Sequence, residues 1–187
     1  TRALSHQEFD ITELSMSNFM TLTARGENPY VAVPAFVSRM FRHSGIYIRT
    51  DKGIDRPEDM KGKIIGVPEY PMTAALWIRG ILQDEYGVAA SDMSWRVGGQ
   101  EAPLTKPRIA IELPPSIDLQ RIPGDATLNG MLDSGELDGM MSARAPSCLE
   151  TNEKVVRLFP NYRADEETYF AKTGLFPIMH LVAIRRS

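Results

Sequence analysis

The chain has 187 residues, a formal net charge of -3 and 43% hydrophobic side chains, so it can bury one ordinary core or the cores of two small lobes. That balance excludes intrinsic disorder and a general basic field for nucleic acid, and no apolar run approaches the roughly 20 residues that a membrane-spanning helix needs. The one cysteine, Cys148, excludes an internal disulfide and a multi-cysteine zinc site and fits a reducing compartment.

The chain starts at Thr1, close to a strand, and Ser17 is placed to cap a short helix over 18–25 that Gly26 closes. Residues 30–36 and 45–50 read as strands, the second bounded by Asp51, Lys52 and Gly53. The run from Arg56 to Gly62, with Pro57 early, reads as one helical turn before a short strand over 63–67. Pro68-Glu69-Tyr70-Pro71 breaks the chain. The helix that follows runs to about Tyr86 and stops at Gly87, with Ala74, Trp77, Ile78, Ile81 and Leu82 on one face. A strand over 94–97 ends in Gly98-Gly99-Gln100-Glu101. Prolines at 103, 107, 114 and 115 make 102–116 mostly loop, with a turn of helix around 108–113. A strand over 117–122 precedes a helix over 128–134, capped by Thr127 and closed by Gly135. Strands over 137–142 and 155–159, a polar helix over 164–172 stopped by Gly174, and an apolar strand over 176–185 complete the chain. No secretory signal is read in the first residues, and both ends are expected to belong to a longer protein.

Strands alternating with helices predict an α/β fold with mainly parallel strands, whose ligands sit at the carboxyl ends of those strands. Polar groups collect at such places, at 38–44, 68–73, 98–101 and 142–147.

Seven stretches carry a family resemblance: FDITELSMS, YVAVPAFVSRMFRHSGIYIRTDKGI, GVPEYPMTAALWIRGILQDEYGV, WRVGGQEAP, MLDSGELDGMMSARAPSC, RLFPNYRADEE and GLFPIMH. In these, and in their order, the sequence resembles the 4,5-dihydroxyphthalate decarboxylase family. The resemblance implies a two-lobed periplasmic-binding-protein-like fold, α/β with mixed, mostly parallel sheets and a ligand cleft between lobes, in a longer chain. By analogy with solute-binding proteins of that fold, lobe one begins over 1–53, lobe two spans 54–150, and 151–187 returns toward lobe one.

Under that resemblance, Arg39, Arg42 and His43 read as the lining of a cleft for a dianionic aromatic acid, because a planar guanidinium fork matches a carboxylate. The ordinary alternative is a solvated helical turn whose arginines pair with surface acids. Arg144, with Ser147 beside it, is expected to clamp a carboxylate from the second lobe. The helix start after Pro71, with the hydroxyls of Tyr70 and Thr73, adds an anion site, and Ser15 completes the substrate-binding set. His43 and His180 are candidates for proton transfer and Glu101 is a third, although either histidine can instead be a packed, hydrogen-bonded side chain. Cys148 reads as a packed residue rather than a nucleophile.

The implied reaction is decarboxylation of 4,5-dihydroxyphthalate to 3,4-dihydroxybenzoate and CO2 in a cytoplasmic enzyme of aromatic acid breakdown. Each carboxylate is para to a hydroxyl, so the ring itself holds the charge and the chemistry requires no cofactor. A divalent metal stays open, since three dispersed histidines show no metal-binding spacing. The expected partner is the small aromatic dicarboxylate, with no nucleic acid and no membrane; a homo-oligomer stays open. The competing class is a non-catalytic, periplasmic solute-binding protein for an organic acid, which a signal peptide would mark.

Overall fold

The computed structural model describes residues 2–103 and 111–186. Two sheets organise them. The first is antiparallel. Strand β1 (Ile11–Ser15) and strand β2 (Tyr30–Ala32) flank the long strand β10 (Ile178–Arg185), and the two-residue strand β3 (Ser38–Arg39) pairs with the start of β10. Alternation explains this sheet. Leu14, Tyr30, Leu181 and Ala183 point inward to a small core with Ala3 of helix α1 (Arg2–His6), while the residues between them point outward. On the outer face Ile11, Ile184 and Val31 stand in one register row across three strands and are 64%, 43% and 45% exposed.

The second sheet has the order β7-β6-β5-β8-β4-β9, formed by β7 (Asp118–Arg121), β6 (Ser94–Val97), β5 (Ile64–Val67), β8 (Gly139–Met141), β4 (Ile46–Arg49) and β9 (Val155–Arg157). The run β7-β6-β5-β8 is parallel, and β4 is antiparallel to both of its neighbours. The second sheet is therefore mixed, as expected, whereas the first is wholly antiparallel, so parallel pairing is less prevalent than the sequence predicts. Parallel pairing is confined to the segment where helices α3 (Thr73–Tyr86) and α4 (Leu128–Ser134) supply the crossovers. Of the six strands, β5, β6, β7 and β8 lie within 54–150; β4 and β9 flank that span.

Helix α3 buries Ala75, Ile78 and Leu82 in the main core with Ile46 of β4, Ile65 and Val67 of β5 and Trp95 of β6. Gly87 ends it at a positive φ of 64°, the conformation a side chain resists. Gly66 is required for a different reason. A Cβ there would lie 2.7 Å from the Leu137 side chain and 3.1 Å from that of Leu128, so any larger residue would force both leucines to shift. Trp77 on the flank of α3 donates its indole N–H to Ile178 O at 3.1 Å and ties the second unit to β10 of the first.

Several elements differ from expectation at their ends. The strand expected over 30–36 stops at Ala32, because Pro34 has no N–H to offer a ladder and Ala35 N–H closes a tight turn on Val33 O. Helix α2 (Met16–Ala24) begins before Ser17, so its N-cap is Ser15. Helix α5 (Cys148–Thr151) is one turn that composition did not announce, and helix α6 (Tyr162–Thr173) starts two residues early. The turn of helix expected around 108–113 lies largely outside the described residues, and positions 111–113 carry no helix.

Helix α4 has the bounds that its capping residues foretell: Thr127 Oγ1 accepts from Gly130 N–H at 3.1 Å and Gly135 leaves at a φ of 88°. Thr127→Ala is expected to lower unfolding stability by about 1 kcal/mol, read from denaturant midpoints at unchanged slope.

Candidate functional site

The N-termini of α2 and α3 meet. Thr73 Oγ1 lies 2.8 Å from Ser15 Oγ and 3.0 Å from Ser17 Oγ and accepts Ser17 N–H at 3.1 Å, while Ser17 Oγ donates to Pro71 O at 2.6 Å. Neither helix has a side-chain cap of its own. Two helix dipoles therefore direct their positive ends into one place, each worth about 0.3–1 kcal/mol to a bound anion.

A cleft of about 110 Å³ opens there, lined by Ser15, Thr73, Asn18, Arg42, Glu69 and His180 among others. Arg42 is its cation. It is only 9% exposed, its Nε donates to Met179 Sδ at 3.1 Å, and among the described residues no carboxylate lies within ion-pairing distance of it. Burial pulls its pKa down, partly offset by Tyr47 and Glu166, yet guanidinium stays charged at neutral pH. A buried guanidinium without a counter-ion is an anion receptor, since its desolvation cost is already spent.

His180 stands beside this cation. Its backbone is in register with Ser15 on β1, and its Nδ1 is hydrogen-bonded to Glu13 Oε1. Glu13 thereby fixes the ring's orientation, the arrangement a proton-transfer histidine needs. A second, larger cavity of about 480 Å³ shares Ser15, Asn18 and His180 with the cleft and extends over Glu13 to Leu4 and Phe9.

With this geometry in view, the relatives are informative. The chain is 44% identical over all 187 residues to 4,5-dihydroxyphthalate decarboxylase of Comamonas testosteroni, and 49% identical over 147 residues to the protein of the same name from Pseudomonas putida. It resembles 4,5-dihydroxyphthalate decarboxylases. It spans 57% of the length of each of these relatives. No family model matches the chain. Among solved structures, the periplasmic aliphatic sulphonate binding protein SsuA of Escherichia coli superposes with a TM-score of 0.55 at 12% identity, covering 99% of this chain and 50% of that one. The fold is thus periplasmic-binding-protein-like, and the resemblance read from the seven motifs extends across the chain.

The remaining expected site residues fall elsewhere. Arg39 is exposed on β3, donating to Phe176 O at 3.2 Å with its guanidinium over the Phe36 ring. His43 is buried on the opposite side of the chain from Arg42, edge-on to Phe159 and Tyr169, in a separate cavity with Glu85 and Asp165. Tyr70 is buried too. Arg79 donates to its carbonyl at 2.9 Å and lays a guanidinium 3.8 Å from its ring centroid, so Tyr70 shapes the turn before α3 instead of lining the cleft. Glu101 accepts from both the N–H and the hydroxyl of Ser147, at 3.1 and 2.8 Å, and Gln100 bonds the Ser142 hydroxyl and the Arg144 carbonyl. These pairs hold the 142–147 loop, whose Ala143 reaches the cleft while the Arg144 side chain stays exposed. Among the described residues, no three His, Cys, Asp or Glu side chains converge as metal ligands would.

Glu13, Asn18 and Arg79 were not singled out in the sequence. Glu13 had one signal: it lies two residues before Ser15 in an alternating strand, hence on the same face.

Two groups here carry pH and reactivity consequences. Burial pushes the Cys148 thiol up to about 11, so a thiol reagent at pH 8 is expected to label it only after denaturant is added. Burial pushes His43 down, although Asp165 and Glu85 pull the other way. A histidine with a depressed folded pKa keeps its full stability above the unfolded value of about 6.5 and loses it as pH falls below. Stability is therefore expected to fall between pH 7 and 5 by less in His43→Gln than in the unsubstituted protein, read from urea midpoints.

Proposed function

We propose that the intact protein decarboxylates 4,5-dihydroxyphthalate to 3,4-dihydroxybenzoate and CO2, in the cytoplasm. The observation that carries this reading is the buried Arg42, without a carboxylate partner among the described residues, at the meeting point of two helix N-termini and beside His180.

Arg42 and the ends of α2 and α3 hold the carboxylate that the product keeps. Binding the departing carboxylate there would stabilise the ground state and slow the reaction. Loss of the para hydroxyl's proton raises electron density on the carbon bearing the second carboxylate. His180, held by Glu13, delivers a proton to that carbon. The C–CO2 bond then breaks, its electron pair returns to the ring, and aromaticity is restored. One proton is taken up for each CO2 released. The chemistry requires no electron-sink cofactor.

The relatives' names and the 44–49% identity support the enzyme reading. The second reading, a non-catalytic carrier of an organic acid, is favoured by the likeness in fold to a sulphonate-binding protein. The two are separated by incubating the full-length protein with 4,5-dihydroxyphthalate and following 3,4-dihydroxybenzoate by absorbance, with and without a chelator. Product is expected; recovery of intact, bound acid would transfer the assignment to a carrier, and chelator sensitivity would add a divalent metal to the site.

Within the enzyme reading, Arg42→Ala is expected to reduce kcat/KM by about 10–100-fold, the scale of a lost charge-assisted hydrogen bond, while Arg39→Ala changes it little. His180→Gln is expected to lower kcat by about 100-fold or more with the acid still bound. Equal effects of Arg39 and Arg42 would refute the assignment of the anchor.

A further inference from the structure

We propose that Asn18 is a specificity-determining residue of this site, hydrogen-bonding a ring hydroxyl of the aromatic acid whose carboxylate Arg42 holds. The inference rests on the decarboxylase reading and names what that reading leaves open: how the site tells a hydroxylated ring from a bare one.

Asn18 is the third residue of α2 and only 9% exposed. Its amide makes no hydrogen bond among the described residues, although Ser15 and Ser17 beside it are fully engaged. The side chain is mostly covered, yet its amide opens onto the cavities instead of being sealed in the core, so it is available to a ligand that enters them. The amide belongs to both cavities. At about 110 Å³ the Arg42 cleft is smaller than the roughly 300–1,000 Å³ of ordinary ligand sites, whereas the adjoining chamber of about 480 Å³ is within that range. The carboxylate therefore occupies the cleft, the ring extends toward the chamber, and the ring's edge passes Asn18.

The shape of the acid decides which ring substituent the amide meets. The two carboxylates are ortho to each other, so with one on Arg42 both stay at the cleft end of the ring, and the hydroxyls are the substituents that reach toward the chamber along Asn18. A hydroxyl is neutral and is both donor and acceptor, as an amide is. A site whose buried polar group needs a substrate hydroxyl rejects the analogue that lacks it, because the group is then left unpaired.

The test is equilibrium binding of 4,5-dihydroxyphthalate and of unsubstituted phthalate to the full-length protein and to Asn18→Ala, Asn18→Leu and Arg42→Ala. The leucine variant keeps the branched outline of the side chain without its polar atoms, and thermal melts establish that each variant is folded. The unsubstituted protein is expected to prefer the dihydroxy acid. Both Asn18 variants are expected to lose about 10-fold in affinity for it and to leave phthalate within about 3-fold, so the preference collapses. Arg42→Ala is expected to weaken both acids alike. Equal losses for the two acids in the Asn18 variants, or no loss for either, would overturn the proposal. If 4,5-dihydroxyphthalate is turned over normally while the preference survives in both Asn18 variants, only this inference falls. If the unsubstituted protein binds neither acid, the decarboxylase reading falls and takes this one with it.

Discussion

The hydroxyl of Thr73 is the contact on which the site's geometry depends. It reaches one serine hydroxyl and both the hydroxyl and the backbone N–H of a second serine, across 56 to 58 residues of sequence. Those bonds join the end of β1, in the antiparallel sheet, to the start of the helix that covers the mixed sheet. They also use hydroxyls where each helix would otherwise carry its own cap. The positive ends of two helices are thereby locked at one point before any ligand is present, so little reorganisation remains to oppose binding. Thr73 is itself buried, which spares these bonds the competition of water.

Arg42 completes the arrangement: among the described residues no carboxylate lies within ion-pairing distance of it. Its neighbour His43 shows how local that placement is. The two residues are consecutive, yet one faces the cleft and the other is packed among aromatic rings under α6. The chain turns here from β3 toward β4, with Arg42 at φ -132° and ψ 5°, and consecutive side chains part to opposite sides. A run of polar residues in the sequence thus becomes one ligand-facing cation and one core histidine.

This separation explains which parts of the molecule were legible in the sequence. Helix α4 and strand β6 have the bounds that Thr127, Gly135 and the apolar run over 94–97 announce, because capping and burial act over a few residues. Ser15, Arg42, Thr73 and His180, drawn from four separate segments, do converge. Glu13 escaped because its partnership with His180 depends on the register of β1 against β10, and register is a tertiary property. Arg79 escaped because an arginine within an apolar helix face looks like a solvated one until Tyr70 is folded over it. Tyr70, His43 and Arg39 carried the right chemistry in the right segments, but burial and strand direction turned each of them away from the cleft.

The register row of Ile11, Ile184 and Val31 has a practical consequence for the chain in solution. Three aliphatic side chains aligned across adjacent strands form a flat apolar strip, and β1 beside it pairs on one edge only among the described residues. A strip of that kind next to an open edge is a template for strand addition and for sheet stacking. Colloidal behaviour of this chain depends on that outer face as well as on its net charge of -3. Concentrated preparations should be most tractable at low ionic strength, where what repulsion exists is least screened, and charged replacements at Ile11 or Val31 are the natural route to a better-behaved sample.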